Sequence, residues 1–182
     1  MTTQRARPVR TILLVLVCIL AVEALGLVSA RITGPSGLNP WYLGLVKPEI
    51  QPPGMWFGLA WALLYAMIGA ALGLIFATRT TRGKSLAIIL FIVQLGLNLA
   101  WSPLFFRAHR MQDAFWLLVA VSIVSLVVTW RFWVIRRLAA LLMLPYQAWL
   151  VFAGVLNWQI VQLNLDGGPT ISFGTEAAIP PR

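Results

Sequence analysis

The sequence predicts an all-α integral membrane protein, a bundle of five transmembrane helices, on three observations. Hydrophobic residues make up 60% of the 182 residues and charged residues only 10%, against about 25% charged in a soluble domain. The mean hydropathy is +0.85. The apolar residues fall into five continuous runs, each close to or above the roughly 20 residues that cross a bilayer core. A membrane β-barrel would instead alternate polar and apolar residues over segments of about ten. The spans and their connections fill residues 1–165 as a single domain, which leaves no room for a separate soluble one.

The first run, 11–30, is interrupted only by Glu23. Arg5, Arg7 and Arg10 precede it, and Val28-Ser29-Ala30 at its end resembles a signal-peptidase site. A cleavable signal has an apolar region of about 7–15 residues, so this longer run is read as a retained span. The second, 54–77, has no charge and starts after Pro52-Pro53, where proline belongs at a helix start. The third covers 85–106. The fourth is apolar from Ala114 to Trp130 and is carried as a span to about 135. The fifth, 138–165, is long enough to tilt or extend past the core. Pro145 within it is expected to kink or break its first turns. The tail, 166–182, is rich in Gly and Pro and is expected to be flexible.

Charge placement sets the expected orientation. An odd number of spans puts Arg5, Arg7, Arg10, Arg79, Arg82, Lys84, Arg131, Arg136 and Arg137 on one side. Arg31, Lys47, Arg107, Arg110 and Arg182 fall on the other, with Glu49, Asp113, Asp166 and Glu176. Nine basic residues against five place the N-terminus in the cytoplasm, and the first loop and the tail outside. The net charge of +9 does not indicate nucleic acid, because the cations punctuate apolar runs instead of forming a polar basic face.

The loop before the second span reads WYLGLVKPEIQPPGMWFG. It places Lys47, Pro48, Glu49 and Gln51 among Trp41, Tyr42, Trp56 and Trp61, a stiff aromatic mixture suited to a lid over a cavity. Within the membrane, Trp61 and Tyr65 share a helix face with Gly58 close by. Gln94, Asn98 and Trp101 share another, and Trp149, Ala153, Leu156 and Ile160 a third, with Asn157 beside it. Aromatic rings beside small residues and amides suit an apolar pocket for a flat hydrophobic ligand. The alternative is that the tryptophans form interfacial belts and the amides join helices.

Glu23 is a functional candidate because an acid inside a membrane needs a partner or a proton. A neutral Glu23 facing another helix is the simpler account. His109 is the only histidine and Cys18 the only cysteine, so no metal site, disulfide or cofactor is expected. No nucleotide loop or Ser-His-Asp set is present. Gly69 with Gly73, and Gly96 with Ala100, have the spacing that lets helices approach closely, within one chain or between two.

Three ordered blocks resemble the TspO/MBR family of tryptophan-rich sensory and translocator proteins. They are Trp41-Tyr42 with Lys47-Pro48, Pro52-Pro53, Trp61 and Leu64-Tyr65; QLGLNLAWSPLFF from Gln94; and LPYQAWLVFAGVLNWQIVQLN from Leu144. The resemblance spans roughly Trp41 to Asn164. It implies a five-helix membrane protein, usually a homodimer, that binds porphyrins beneath the first loop. The family's pocket maps onto Phe57, Gly58, Ala60, Trp61, Asn98, Trp101, Trp149, Ala153 and Leu156, with Trp41 and Tyr65 added here from the loop and the second span. Some bacterial relatives degrade protoporphyrin IX in light, and the two tryptophans tied to that chemistry match Trp61 and Trp149. The bacterial cell membrane is the expected location. The chain departs from the family at Ile50, where an aromatic is common, and at Asp113, where mammalian members carry tryptophan. At the proposed sterol motif it has Trp158 for tyrosine and no following cation before Arg182, so specific cholesterol binding is not expected.

Overall fold

A computed structural model describes residues 6–79, 81–166 and 168. The tail expected over 166–182 lies outside these except for Asp166 and Gly168, as do Arg5 and Arg182 of the charge count. Among the described residues there are five long α-helices, one short α-helix, a single 3-10 turn at Ser36–Leu38, and no strand. Helix α1 covers Ala6–Thr33, α2 Pro40–Gly44, α3 Gly54–Ala77, α4 Lys84–Phe106, α5 Met111–Ile135 and α6 Arg137–Leu163. All but α2 are long and apolar enough to span a bilayer.

The helices form a ring in which α1 packs on α3, α3 on α6, α6 on α5, α5 on α4, and α4 back on α1. Chain order therefore differs from spatial order, since α4 follows α3 in the chain whereas α3 sits in the ring between α1 and α6. Gly34, at φ 79°, ends α1 and donates its N–H to Ala30 O at 2.9 Å, the left-handed cap that glycine supplies without a Cβ penalty. Asn39 then starts α2 by accepting from the Tyr42 N–H at 3.1 Å, with Pro40 at the first helical position. The Asn39 amide also donates to Phe106 O at 2.9 Å, which ties the loop to the end of α4.

The core is a continuous cluster that includes Ile68, Ile75, Phe91, Phe132, Met143 and Tyr146. Phe91 and Phe132 stack at 5.9 Å between α4 and α5. The outward surface carries exposed Leu16, Leu20, Leu63, Ile92, Leu126 and Val151, side chains that only a bilayer solvates without penalty. Of the two small-residue pairs, Gly69 and Gly73 lie on α1: a Cβ on Gly73 would come within 2.5 Å of Val15 Cα. Gly96 has open space around it.

Two boundaries differ from expectation. The first span runs past residue 30 to Thr33, because Arg31 sits in the helix's last turn, where the macrodipole favours a cation. Pro145 does not break α6, which is continuous from Arg137 to Leu163. The burial of Ala139, Ala140, Met143, Tyr146 and Leu150 around that position outweighs one lost backbone hydrogen bond.

Candidate ligand-binding site

A cavity of about 710 Å³ opens beneath the first loop, between α3, α4 and α6, within the usual range for small-molecule sites. Helix α3 contributes Phe57, Gly58 and Trp61; α4 contributes Asn98, Trp101 and Ser102; α6 contributes Trp149, Ala153 and Leu156. The loop closes it with Tyr42, Lys47 and Gln51, and the turn after α1 with residues 33–37. Among the described residues Lys47 is the only charged side chain on this wall.

The aromatic groups are held by one another. Trp61 meets Trp149 edge to face, with ring centroids 6.1 Å apart and planes at 78°, and Phe57 meets Trp149 at 5.7 Å and 78°. Trp101 stacks on Phe105 at 5.1 Å, and its indole N–H donates to Asn157 Oδ1 at 3.2 Å. Asn157 in turn donates to Met111 O at 3.0 Å. Trp101 is thus fixed by α5 and α6 at once, and Asn157 acts as the helix-joining amide. Trp149 differs: its buried indole N–H has no acceptor, an unmet donor of the kind a bound acceptor would satisfy.

At the polar end, the Tyr65 hydroxyl donates to Asn98 Oδ1 at 2.9 Å. In the lid, the Gln51 amide donates to the Tyr42 oxygen at 2.9 Å. Burial pushes the Tyr42 phenol above its ordinary pKa, and the Gln51 bond only partly opposes this. Tyr42 therefore stays a neutral donor at the cavity mouth. Lys47 donates to Leu43 O and Leu45 O at 3.2 and 3.3 Å and lies 4.9 Å over the Tyr42 ring. Asn164, at the end of α6, accepts from the Val46 N–H at 3.0 Å and donates to Val46 O at 2.9 Å. This reciprocal pair fastens the loop to α6.

The structure brings eight of the candidate residues to this cavity: Phe57, Gly58, Trp61, Asn98, Trp101, Trp149, Ala153 and Leu156. Tyr65 lies on a smaller adjoining recess. Trp41 is off the wall: it is buried between Phe105, at 5.6 Å, and His109, stacked at 4.2 Å, and so supports the lid from behind. His109 holds a positive φ of 56° in the turn that places it there. Ala60 is also off the wall, about 100° around α3 from Trp61. Gln94 shares a helix face with Asn98 but points into the core, donating to the Tyr146 oxygen at 2.6 Å. Ser102 lines the cavity without having been singled out. Its place four residues after Asn98 on the same face is the signal that identifies it.

Residues 15–163 match the model of the TspO/MBR family. The chain is 36% identical over 156 residues to the tryptophan-rich protein TspO of Archaeoglobus fulgidus, covering 84% of this chain and 98% of that one. It is 36% identical over 139 residues to the human translocator protein, covering 75% and 82%. To the protein CrtK of Rhodobacter capsulatus it is 30% identical over 125 residues, covering 68% and 78%. With a match that takes in all five spanning helices, and relatives aligned over most of their own length, this multi-pass integral membrane protein belongs to the TspO/MBR family.

Proposed function

We propose that the protein binds porphyrins and similar flat, hydrophobic tetrapyrroles within the membrane, and acts in their sensing, transport or turnover. The observation that carries this reading is the 710 Å³ cavity, with Phe57, Trp61, Trp101 and Trp149 on its wall and a single cation, Lys47, at its mouth. The rings provide broad apolar faces for a macrocycle, and Lys47 suits carboxylates at its edge. The test is a protoporphyrin IX titration of the purified protein in detergent and in bilayers, first in the dark and then under light. Saturable dark binding supports the reading; its absence in both media rejects it.

A second reading is favoured by the 6.1 Å approach of Trp61 and Trp149 on the cavity wall. Here the protein breaks down a bound porphyrin using light and oxygen, with these two easily oxidised rings as the catalytic residues. The same titration separates the readings, since binding alone leaves the porphyrin intact under illumination.

Retention of the ligand should depend on the Asn164 clamp. Asn164→Leu removes both hydrogen bonds to Val46, worth about 0.5–1.5 kcal/mol each. Porphyrin release is expected to quicken about tenfold with little change in association. An unchanged release rate would show that the loop is no lid.

Membrane and assembly complete the reading. The chain is assigned to the bacterial cell membrane with its N-terminus cytoplasmic, and the cavity mouth outside. Reporter fusions after Arg82 and Arg137 should report cytoplasm, and one after Gly168 the opposite side. A cytoplasmic signal from the last would overturn the orientation. A homodimer is proposed through a face other than Gly69–Gly73, which α1 already occupies.

A further inference from the structure

A second, smaller recess of about 280 Å³ lies between α1, α3 and α4, on the lipid side of Trp61 and Trp101. It shares Ala30, Gly58, Trp61, Asn98, Trp101 and Ser102 with the main cavity, but Glu23, Ser29 and Tyr65 belong to the recess alone. Gly26 lets the Tyr65 ring pack against α1, since a side chain there would overlap that ring. Leu27, 57% exposed, and Ala62 form its rim on the lipid-facing surface.

Two hydroxyls of the recess already use their protons. The Tyr65 hydroxyl spends its proton on Asn98 Oδ1 at 2.9 Å. The Ser29 hydroxyl spends its own on Leu99 O at 2.9 Å. Each oxygen is left as an acceptor; the Glu23 carboxyl lies near Tyr65 and Ala66, and Ser29 stands six residues further along α1. The amide of Asn98 and the hydroxyl of Ser102 stand on the wall shared with the main cavity. Among the described residues no Lys or Arg pairs with Glu23, since the one ion pair is Arg110–Asp113. Two indole rings, Trp61 and Trp101, complete the wall.

We propose that this recess binds a basic amine carried on a small apolar body, with Glu23 as its counter-ion. An acid inside a membrane calls for a partner, and among the described residues no cation pairs with it. An amine that reaches the recess neutral takes up the carboxyl proton, and one that arrives as an ammonium meets the ionised carboxylate. In either case the pair formed is neutral overall, and its N–H groups find Glu23 and the Tyr65 oxygen. The indole faces of Trp61 and Trp101 add cation–π attraction. A neutral alcohol of the same shape gains neither the ion pair nor the cation–π contact. The site is distinct from the porphyrin reading, because neither Glu23 nor Ala62 lines the main cavity.

The test uses the full chain in phosphatidylcholine nanodiscs at neutral pH, with 4-phenylbutylamine and 4-phenylbutanol titrated by calorimetry against empty nanodiscs. The amine should bind saturably and at least tenfold more tightly than the alcohol. Glu23→Gln should abolish that preference, and Ala62→Phe should abolish saturable binding of both by filling the rim. Helical circular dichroism should be unchanged in each variant, and porphyrin titration of Glu23→Gln should match the parent. Equal affinity for amine and alcohol in the parent would overturn the proposal. So would a preference that survives Glu23→Gln, or tight amine binding that survives Ala62→Phe. If Glu23→Gln fails to fold, the amine–alcohol comparison on the parent and the Ala62→Phe titration still decide.

Discussion

Gly73→Ala is expected to destabilise the bundle by about 1–3 kcal/mol, and Gly73→Leu to prevent α1 from docking at all. The added Cβ would lie 2.5 Å from Val15 Cα and 2.8 Å from Leu14 O. Both are backbone atoms of α1, so no side-chain rotation relieves the contact and the helix itself must move. Gly69 repeats the contact one turn earlier, where a Cβ would lie 2.8 Å from Ile19 Cα. The two glycines are therefore a track on which α1 rests, and lifting α1 at Gly73 also loosens it at Gly69. Gly96→Ala is the matched control. Nothing lies within 4 Å of a Cβ there, and removing a mid-helix glycine gains about 0.5–1 kcal/mol. Thermal unfolding in one detergent should therefore move in opposite directions for Gly73→Ala and Gly96→Ala. A Gly73→Ala protein as stable as its parent would show that α1 does not pack closely on α3.

The contrast between these glycine pairs marks where the sequence stops being informative. The five spans are legible because length and hydropathy alone decide them. Which face of each span points inward is far less so, because lipid is as apolar as the core and the usual polar stripe is missing. Leu63 is 62% exposed and Leu64 5%, yet nothing in their chemistry separates them. Only polar and aromatic positions carry the inward signal. Asn98, Trp61 and Trp149 share the cavity, as their helical spacing indicated, whereas Gln94, with the same signal, turns to Tyr146 in the core. Periodicity gives a face but not a depth along it. Trp41 shows the same limit in a loop: its position suited a lid, but its burial against Phe105 and His109 follows from tertiary contacts far away in the chain.

Trp61→Phe combined with Trp149→Phe should leave dark porphyrin affinity within about tenfold of the parent. Phenylalanine keeps an aromatic face, and the stacking at stake is about 0.5–1.5 kcal/mol beyond area burial. The fold should tolerate the change as well. The Trp149 N–H has no acceptor, so removing it relieves an unmet donor and breaks no bond. The smaller ring leaves its space on the cavity side, among Phe57, Ala153 and Leu156, where the wall is already open. What phenylalanine cannot supply is an easily oxidised indole. Under the catalytic reading, light-driven porphyrin loss measured at saturating ligand should fall at least a hundredfold in the double variant, far more than occupancy accounts for. The single variants should then resemble the double, because the rings touch edge to face at 6.1 Å and would act as a unit. Loss that declines only in step with occupancy would make both rings walls of a binding site, and the enzymatic reading would be withdrawn while the binding reading stood.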